Sequence, residues 1–154
     1  MRKKLMRQKI LRRRFTSEQE YRNFREGLHR SLREVLANHI SKKGDLEQDL
    51  TMLEIAINEA INNAFKYAQN KIEPSVILSI YIFDPNILFI RVKDNGSGFK
   101  ADQVLAKVDA LEKSEEDDWE WGESGRGIFI MEAVMDKVRY NAKGNSVVLL
   151  KTLS

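Results

Sequence analysis

Three short stretches of the 154-residue chain combine side chains suited to phosphate, a hard cation and a flat heterocycle. The first is Glu59-Ala60-Ile61-Asn62-Asn63, continuing to Lys66. At about 100° per helical residue, Glu59, Asn63 and Lys66 fall within about 60° of one another, opposite the apolar positions, with Asn62 alongside. An acid, a neutral oxygen ligand and a cation stacked over two turns could activate a hydroxyl, hold a hard metal ion and meet phosphate oxygens. Most such faces are simply solvated. Three asparagines (Asn58, Asn62, Asn63) argue against that here, because Asn is unfavourable inside a helix and so is a tolerated cost.

The second stretch is Asp94-Asn95-Gly96-Ser97-Gly98, directly after a strand-like run. Alternate glycines let backbone approach a ring or a phosphate without a Cβ clash, and Asp94 can accept from an exocyclic amine such as that of adenine. The third is Gly122-Glu123-Ser124-Gly125-Arg126-Gly127, leading into Ile128-Phe129-Ile130-Met131. Small residues before a helix N-terminus offer unpaired N–H groups and a favourable dipole to an anion, and Arg126 adds a planar cationic fork. No G-x-x-x-x-G-K-[ST] phosphate loop occurs, and neither do the H-R-D and D-F-G signatures of eukaryotic-type kinases.

These stretches need elements to hold them. Ser17 followed by Glu20 predicts a capping box opening a first helix, with Phe24, Leu28, Leu32, Val35, Leu36 and Ile40 at helical spacing until Gly44-Asp45. A second helix is predicted from about Leu46 to Asn70, ending before Pro74. Val76–Phe83, the Asp84-Pro85-Asn86 turn and Ile87–Lys93 predict an antiparallel hairpin. A weaker strand is predicted over residues 5–15, a short helix near 101–113, a helix from Gly127 to Met135, and strands at 138–141 and 146–151. Segregated helices and strands imply one α+β domain over residues 1–154: a two-layer α/β sandwich with a mixed, mainly antiparallel sheet covered on one face.

Composition excludes several classes. There is no cysteine, hence no disulfide or thiolate metal site, and only two histidines. No apolar run approaches the roughly 18 residues of a membrane span. The basic start lacks the apolar core of a secretion signal, so a cytoplasmic protein is expected. The net charge of +3 is uneven: residues 1–43 hold fourteen Lys/Arg against four Glu. Residues 1–14 are read as a basic strand segment, its charges discouraging edge pairing. Without aromatic interleaving or a helix-turn-helix pattern, nucleic acid is not the expected partner.

Glu-x-x-x-Asn on a helix, Asp-x-Gly-x-Gly after a strand and a Gly-rich stretch opening a helix together resemble the GHKL ATPase superfamily. The stretches Glu59–Ala64 and Ser124–Met131, with Met131–Asp136 after them, are most similar to its stand-alone anti-sigma-factor serine kinases, and the similarity spans nearly the whole chain. The resemblance implies ATP and Mg²⁺, with Glu59 as general base and Asn63 holding Mg²⁺. It implies nucleotide contacts from Asn62, Lys66, Asp94, Gly96, Gly98, Gly122, Gly125, Arg126 and Gly127. Ser146 sits where the family often has Thr near adenine. Residues 99–124 would form an ATP lid, whose Trp119 and Trp121 could dock a partner. Tyr67 departs from the His common in these kinases. The implied function is phosphorylation of an anti-sigma-factor antagonist by a protein that also sequesters a sigma factor, as a homodimer. The alternative is an ATP-gated binding module without phosphotransfer.

Overall fold

The computed structural model describes residues 7–39, 46–83, 85–97 and 123–153. Strand β1 (Arg7–Phe15) leads into helix α1 (Glu18–His39), then helix α2 (Leu46–Ala68), the hairpin β2 (Val76–Phe83) and β3 (Ile87–Asp94), helix α3 (Glu123–Val134) and strands β4 (Lys137–Tyr140) and β5 (Ser146–Thr152). The sheet order is β1-β2-β3-β5-β4, and each neighbouring pair is antiparallel. The α+β sandwich is as expected, with every described pairing antiparallel. The short helix at 101–113 and residues 99–122 of the predicted lid fall outside the described residues, while its last two residues, Glu123 and Ser124, already belong to α3.

Alternation along the strands sorts the two faces. Val76, Leu78, Ile80 and Ile82 of β2 and Leu88, Ile90 and Val92 of β3 are buried under the helices, as are Val147 and Leu149 of β5. Period-2 burial is what a sheet covered on one face requires. The α2 helix lies at the centre of the helical layer. Its apolar stripe (Leu50, Leu53, Ile57, Ile61 and Ala64 among it) meets the sheet. It is flanked by α1, through Tyr21 Oη donating to Asn58 and the His29–Glu54 pair. On its other side lies α3, which buries Ile128 and Met131. Small Ala56, Ala60, Ala64 and Ala68 let the neighbours approach α2 closely.

The start of α1 forms as predicted, with one difference. Glu20 N donates to Ser17 Oγ at 3.1 Å, but the Glu20 carboxylate reaches back to the amide and hydroxyl of Thr16 rather than to Ser17. That bond, with Arg13 and Arg14 nearby, holds Glu20 below the usual carboxylate range. Phe15, fully buried at the end of β1, meets Tyr21 edge-on with ring centroids 5.4 Å apart and tilts against Phe24. Burial pushes the Tyr21 phenol up to about 12.

Among the described residues no helix is long and apolar enough to cross a membrane. Phe15→Ala removes the ring that joins β1 to α1 and should cost about 3–5 kcal/mol, read as a lowered urea midpoint. An unchanged midpoint would mean this junction does not support the fold.

Candidate functional site

The site gathers where α2 is approached by two glycines from separate parts of the chain. The first is Gly96. A Cβ built there would lie 2.2 Å from the Tyr67 carbonyl oxygen on α2 and 2.8 Å from Asp94 Oδ1. Only glycine permits that approach of backbone to backbone. The three residues leaving β3 divide the work. Asp94 follows the inward parity of Ile90 and Val92 and is 6% exposed. Asn95 pins the strand end, its Oδ1 accepting from Ser75 N at 3.0 Å and its Nδ2 donating to Glu73 O at 2.8 Å. Gly96 N then donates to Asp94 Oδ1 at 2.7 Å and fixes the carboxylate.

Burial raises the Asp94 pKa above its ordinary value, against the opposing pull of the Gly96 N–H and the nearby Lys143 cation. A buried carboxylate with one oxygen bonded has its second oxygen suited to an incoming donor. Lys143 comes from the β4–β5 turn, shaped by Asn141 Oδ1 accepting from Asn145 N and Ser146 N, and by Gly144 at φ 78°. The Asn145 carbonyl accepts from Asp94 N at 2.9 Å, locking this turn to the end of β3.

The second glycine is Gly127. Its Cβ position lies 2.9 Å from Asn63 Nδ2 and 3.0 Å from Glu59 Oε2. The acid and the amide predicted to act together thus lie under one point of α3. They occupy a helix–helix seam, where the sequence reading put them on the side of α2 away from its apolar face. Asn63 is 7% exposed, and its Nδ2 finds no hydrogen-bond partner among the described residues. A buried amide without a partner is unfavourable, and a polar ligand would relieve it.

The other predicted residues separate. Asn62, one position from Asn63, is exposed to solvent, whereas Lys66 is half-buried near the end of α2. The Gly-rich stretch differs from the expected loop: α3 starts at Glu123, so Gly125, Arg126 and Gly127 lie within its first turns. Gly98, Gly122 and the Arg126 side chain are outside the described residues. Ser146 borders the cleft, but its hydroxyl accepts from Arg91 Nε at 3.1 Å. Its register partner Lys93 and its strand neighbour Val148 face away from the helices, as the Ser146 side chain does, opposite to Asp94.

Residues that sequence reasoning missed complete the wall. Ala60, Asn63, Ala64, Tyr67, Asp94 and Tyr140 line a narrow cleft with about 10 Å³ open, so a purine must part its walls. Burial above all, with Tyr67 next, holds the Tyr140 phenol well above its usual range, while the neighbouring Asn63 side chain works the other way. It is a protonated hydroxyl at neutral pH. The alternation of Val138 and Tyr140 along β4 was the available signal. Two larger hollows, of about 470 and 490 Å³, lie on the outer sheet face and between α1 and α2. Neither contains Asn63, whereas the narrow cleft joins Asn63 to Asp94 and adjoins the Glu59–Asn63 approach to Gly127, so the cleft with that seam is the candidate site.

The unpartnered Asn63 Nδ2 is a donor suited to a phosphate oxygen, and the two Cβ-free approaches leave room for a nucleotide; a Mg²⁺ ion would be held through the Asn63 Oδ1 instead. Mg²⁺ commonly takes few protein ligands, the rest being water and phosphate oxygens. Among the described residues no group of three His, Cys, Asp or Glu could form a protein-only metal cage.

Residues 24–151 match the histidine kinase-like ATPase domain family. Curated relatives include the serine-protein kinase RsbW of Staphylococcus aureus strains MSSA476, MW2 and JH9. Each is 29% identical over 123 residues, covering 78% of this chain and 76% of the relative.

Asp94→Asn should separate stability from binding. The raised pKa means the folded state binds the proton more readily than the unfolded one, so the ionised carboxylate burdens folding at neutral pH, and this burden lifts as pH falls through the raised pKa. The variant should therefore melt no lower than wild type at pH 7. Presenting an amide NH₂ to a donor, it should bind ATP about thirtyfold more weakly, a loss of about 2 kcal/mol, by calorimetry. Unchanged affinity would remove Asp94 from the nucleotide site.

Proposed function

From the premise that the chain belongs to the histidine kinase-like ATPase domain family, we propose that it is a MgATP-dependent protein serine/threonine kinase that is also an anti-sigma factor. Its substrate is an antagonist protein, and it sequesters a sigma factor until that antagonist competes; a second copy of the chain and a cytoplasmic setting belong to the same reading. The observation that carries it is the convergence of Glu59 and Asn63 on Gly127. The relatives are serine-protein kinases, which supports the choice of a hydroxyl as acceptor.

In this reading Asp94 orients the adenine amine, and Gly96 leaves room for the base against the end of α2. Asn63 would hold Mg²⁺, which when bound neutralises charge on the phosphates. Gly125 and Gly127 let the backbone at the start of α3 lie close to the phosphate chain, and Arg126 and Lys66 supply cationic charge beside it. Asn62, on the solvent side, is left to contact the nucleotide's outer edge. Glu59 accepts the proton of the serine hydroxyl while its oxygen bonds to the γ-phosphorus; the bond to the β–γ bridging oxygen breaks, and ADP leaves. Phosphotransfer leaves little covalent work to the protein, so holding hydroxyl and phosphorus in line is its main contribution.

Glu59→Gln keeps the side chain's shape and removes the base. It should bind ATP with wild-type affinity and transfer γ-labelled phosphate to the antagonist about 10²–10⁴-fold more slowly. Transfer at the wild-type rate would refute the assigned base. Nucleotide-dependent partner capture by the wild type with no label transferred would instead support a binding module.

A further inference from the structure

The face of the sheet turned away from the helices has a charge pattern that the nucleotide site does not use. Strand register places its side chains in rows. One row runs Arg12, Ser79, Arg91, Val148, Arg139 across β1, β2, β3, β5 and β4. Its three arginines are two strand spacings apart, about 10 Å from one to the next. The adjacent row runs Lys9, Tyr81, Phe89, Leu150, Lys137, so an apolar centre is closed at both ends by lysine. A hollow of about 470 Å³ spans these rows, lined by Arg7, Arg12, Tyr81, Phe89 and Arg91 among others.

Asp94 borders the hollow at its end, but its side chain follows the inward parity of β3; no other described strand residue on this face is acidic. Among the described residues Arg91 donates to the neutral Ser146 hydroxyl, and Arg7 lies over the Tyr81 ring, 4.9 Å from its centroid. Arg7, Lys9, Arg12, Arg91, Lys137 and Arg139 gathered on one face repel one another, and an anionic partner would relieve them. A second copy laid face to face would bring arginine rows without any carboxylate to meet them. Stacked nucleic-acid bases are also disfavoured: Tyr81 and Phe83 both meet Phe89 at steep angles, 63° and 70°, and Arg7 covers Tyr81, so no flat ring lies open.

We propose that this outer sheet face docks an acidic protein segment bearing apolar side chains, with carboxylates on Arg12, Arg91 and Arg139 and apolar groups against Phe89 and Leu150. Because Asp94, Asn63 and Glu59 lie on the helical side of the sheet, this docking neither requires nor excludes nucleotide. It is independent of phosphotransfer, and it is steeply salt-dependent.

The test uses the full chain and a fluorescent synthetic peptide alternating Glu with Leu, followed by anisotropy at low and physiological salt, with and without MgATP. The wild type should bind the peptide, more weakly as salt rises and equally with or without MgATP. The double variant Arg12→Glu/Arg139→Glu should bind it at least about tenfold more weakly, with an unchanged melting temperature and ATP affinity. Should that variant misfold, Arg12→Gln/Arg139→Gln should show the same direction with a smaller loss. Absence of peptide binding at low salt, or equal binding by a folded variant, would overturn the proposal. Tighter binding of an oligouridylate than of the peptide would give the face to nucleic acid instead. Loss of a wild-type dimer in the variant by sedimentation would give it to a second copy.

Discussion

The closeness with which two glycines approach α2 is the constraint from which the rest of the site follows. Gly96 brings the end of β3 onto the Tyr67 carbonyl, and Gly127 brings α3 onto Glu59 and Asn63. Neither approach tolerates a Cβ without displacing what it touches. The distance between sheet and second helix is thus set at one end of α2, and the distance between second and third helices is set near its middle. The cleft lies between these two points. Its polar residues can be buried without being satisfied by one another, which leaves them to a ligand.

This geometry has a cost that the remainder of the fold offsets. Asp94 is buried as a carboxylate, Asn63 Nδ2 is buried without a hydrogen-bond partner among the described residues, and glycines occupy the first turns of a helix where they contribute least. Against them stand the hydrophobic seam from α1 through α2 to the sheet and the clamp formed by Asn95, Ser75 and Glu73. Strain or unsatisfied polarity concentrated in one place, with regular packing elsewhere, is the usual mark of a binding site.

Much of the framework was legible in the sequence because its signals were periodic. The α1 and α2 stripes and the β2–β3 hairpin all follow from spacing and turn chemistry. What was not legible depended on which way a side chain points. Asn62 and Asn63 differ by one residue, yet one is solvated and the other buried, because the apolar face of α2 extends beneath α3. Ser146 fits the pattern by position, but strand parity turns its hydroxyl to Arg91. Tyr140 enters the cleft by the same parity rule. The start of α3 was read as a loop because glycine lowers helix propensity. Close packing against Glu59 and Asn63 overrides that preference.

The sheet separates two surfaces of opposite character. On the helical side a narrow cleft holds the Asn63 amide and the buried Asp94 carboxylate, with Glu59 beside it under Gly127; on the other an open basic face surrounds aromatic rings. On the proposed reading, one chain would read nucleotide and contact protein through different sides of the same strands. The central claim, that the residues around Gly96 and Gly127 form one MgATP site, is tested most directly by a crystal structure with Mg²⁺ and a non-hydrolysable ATP analogue. The adenine amine should lie on Asp94, the metal on the Asn63 side chain and the γ-phosphate toward Glu59. A nucleotide seated in either of the larger hollows, or none bound at saturating concentration, would contradict the account.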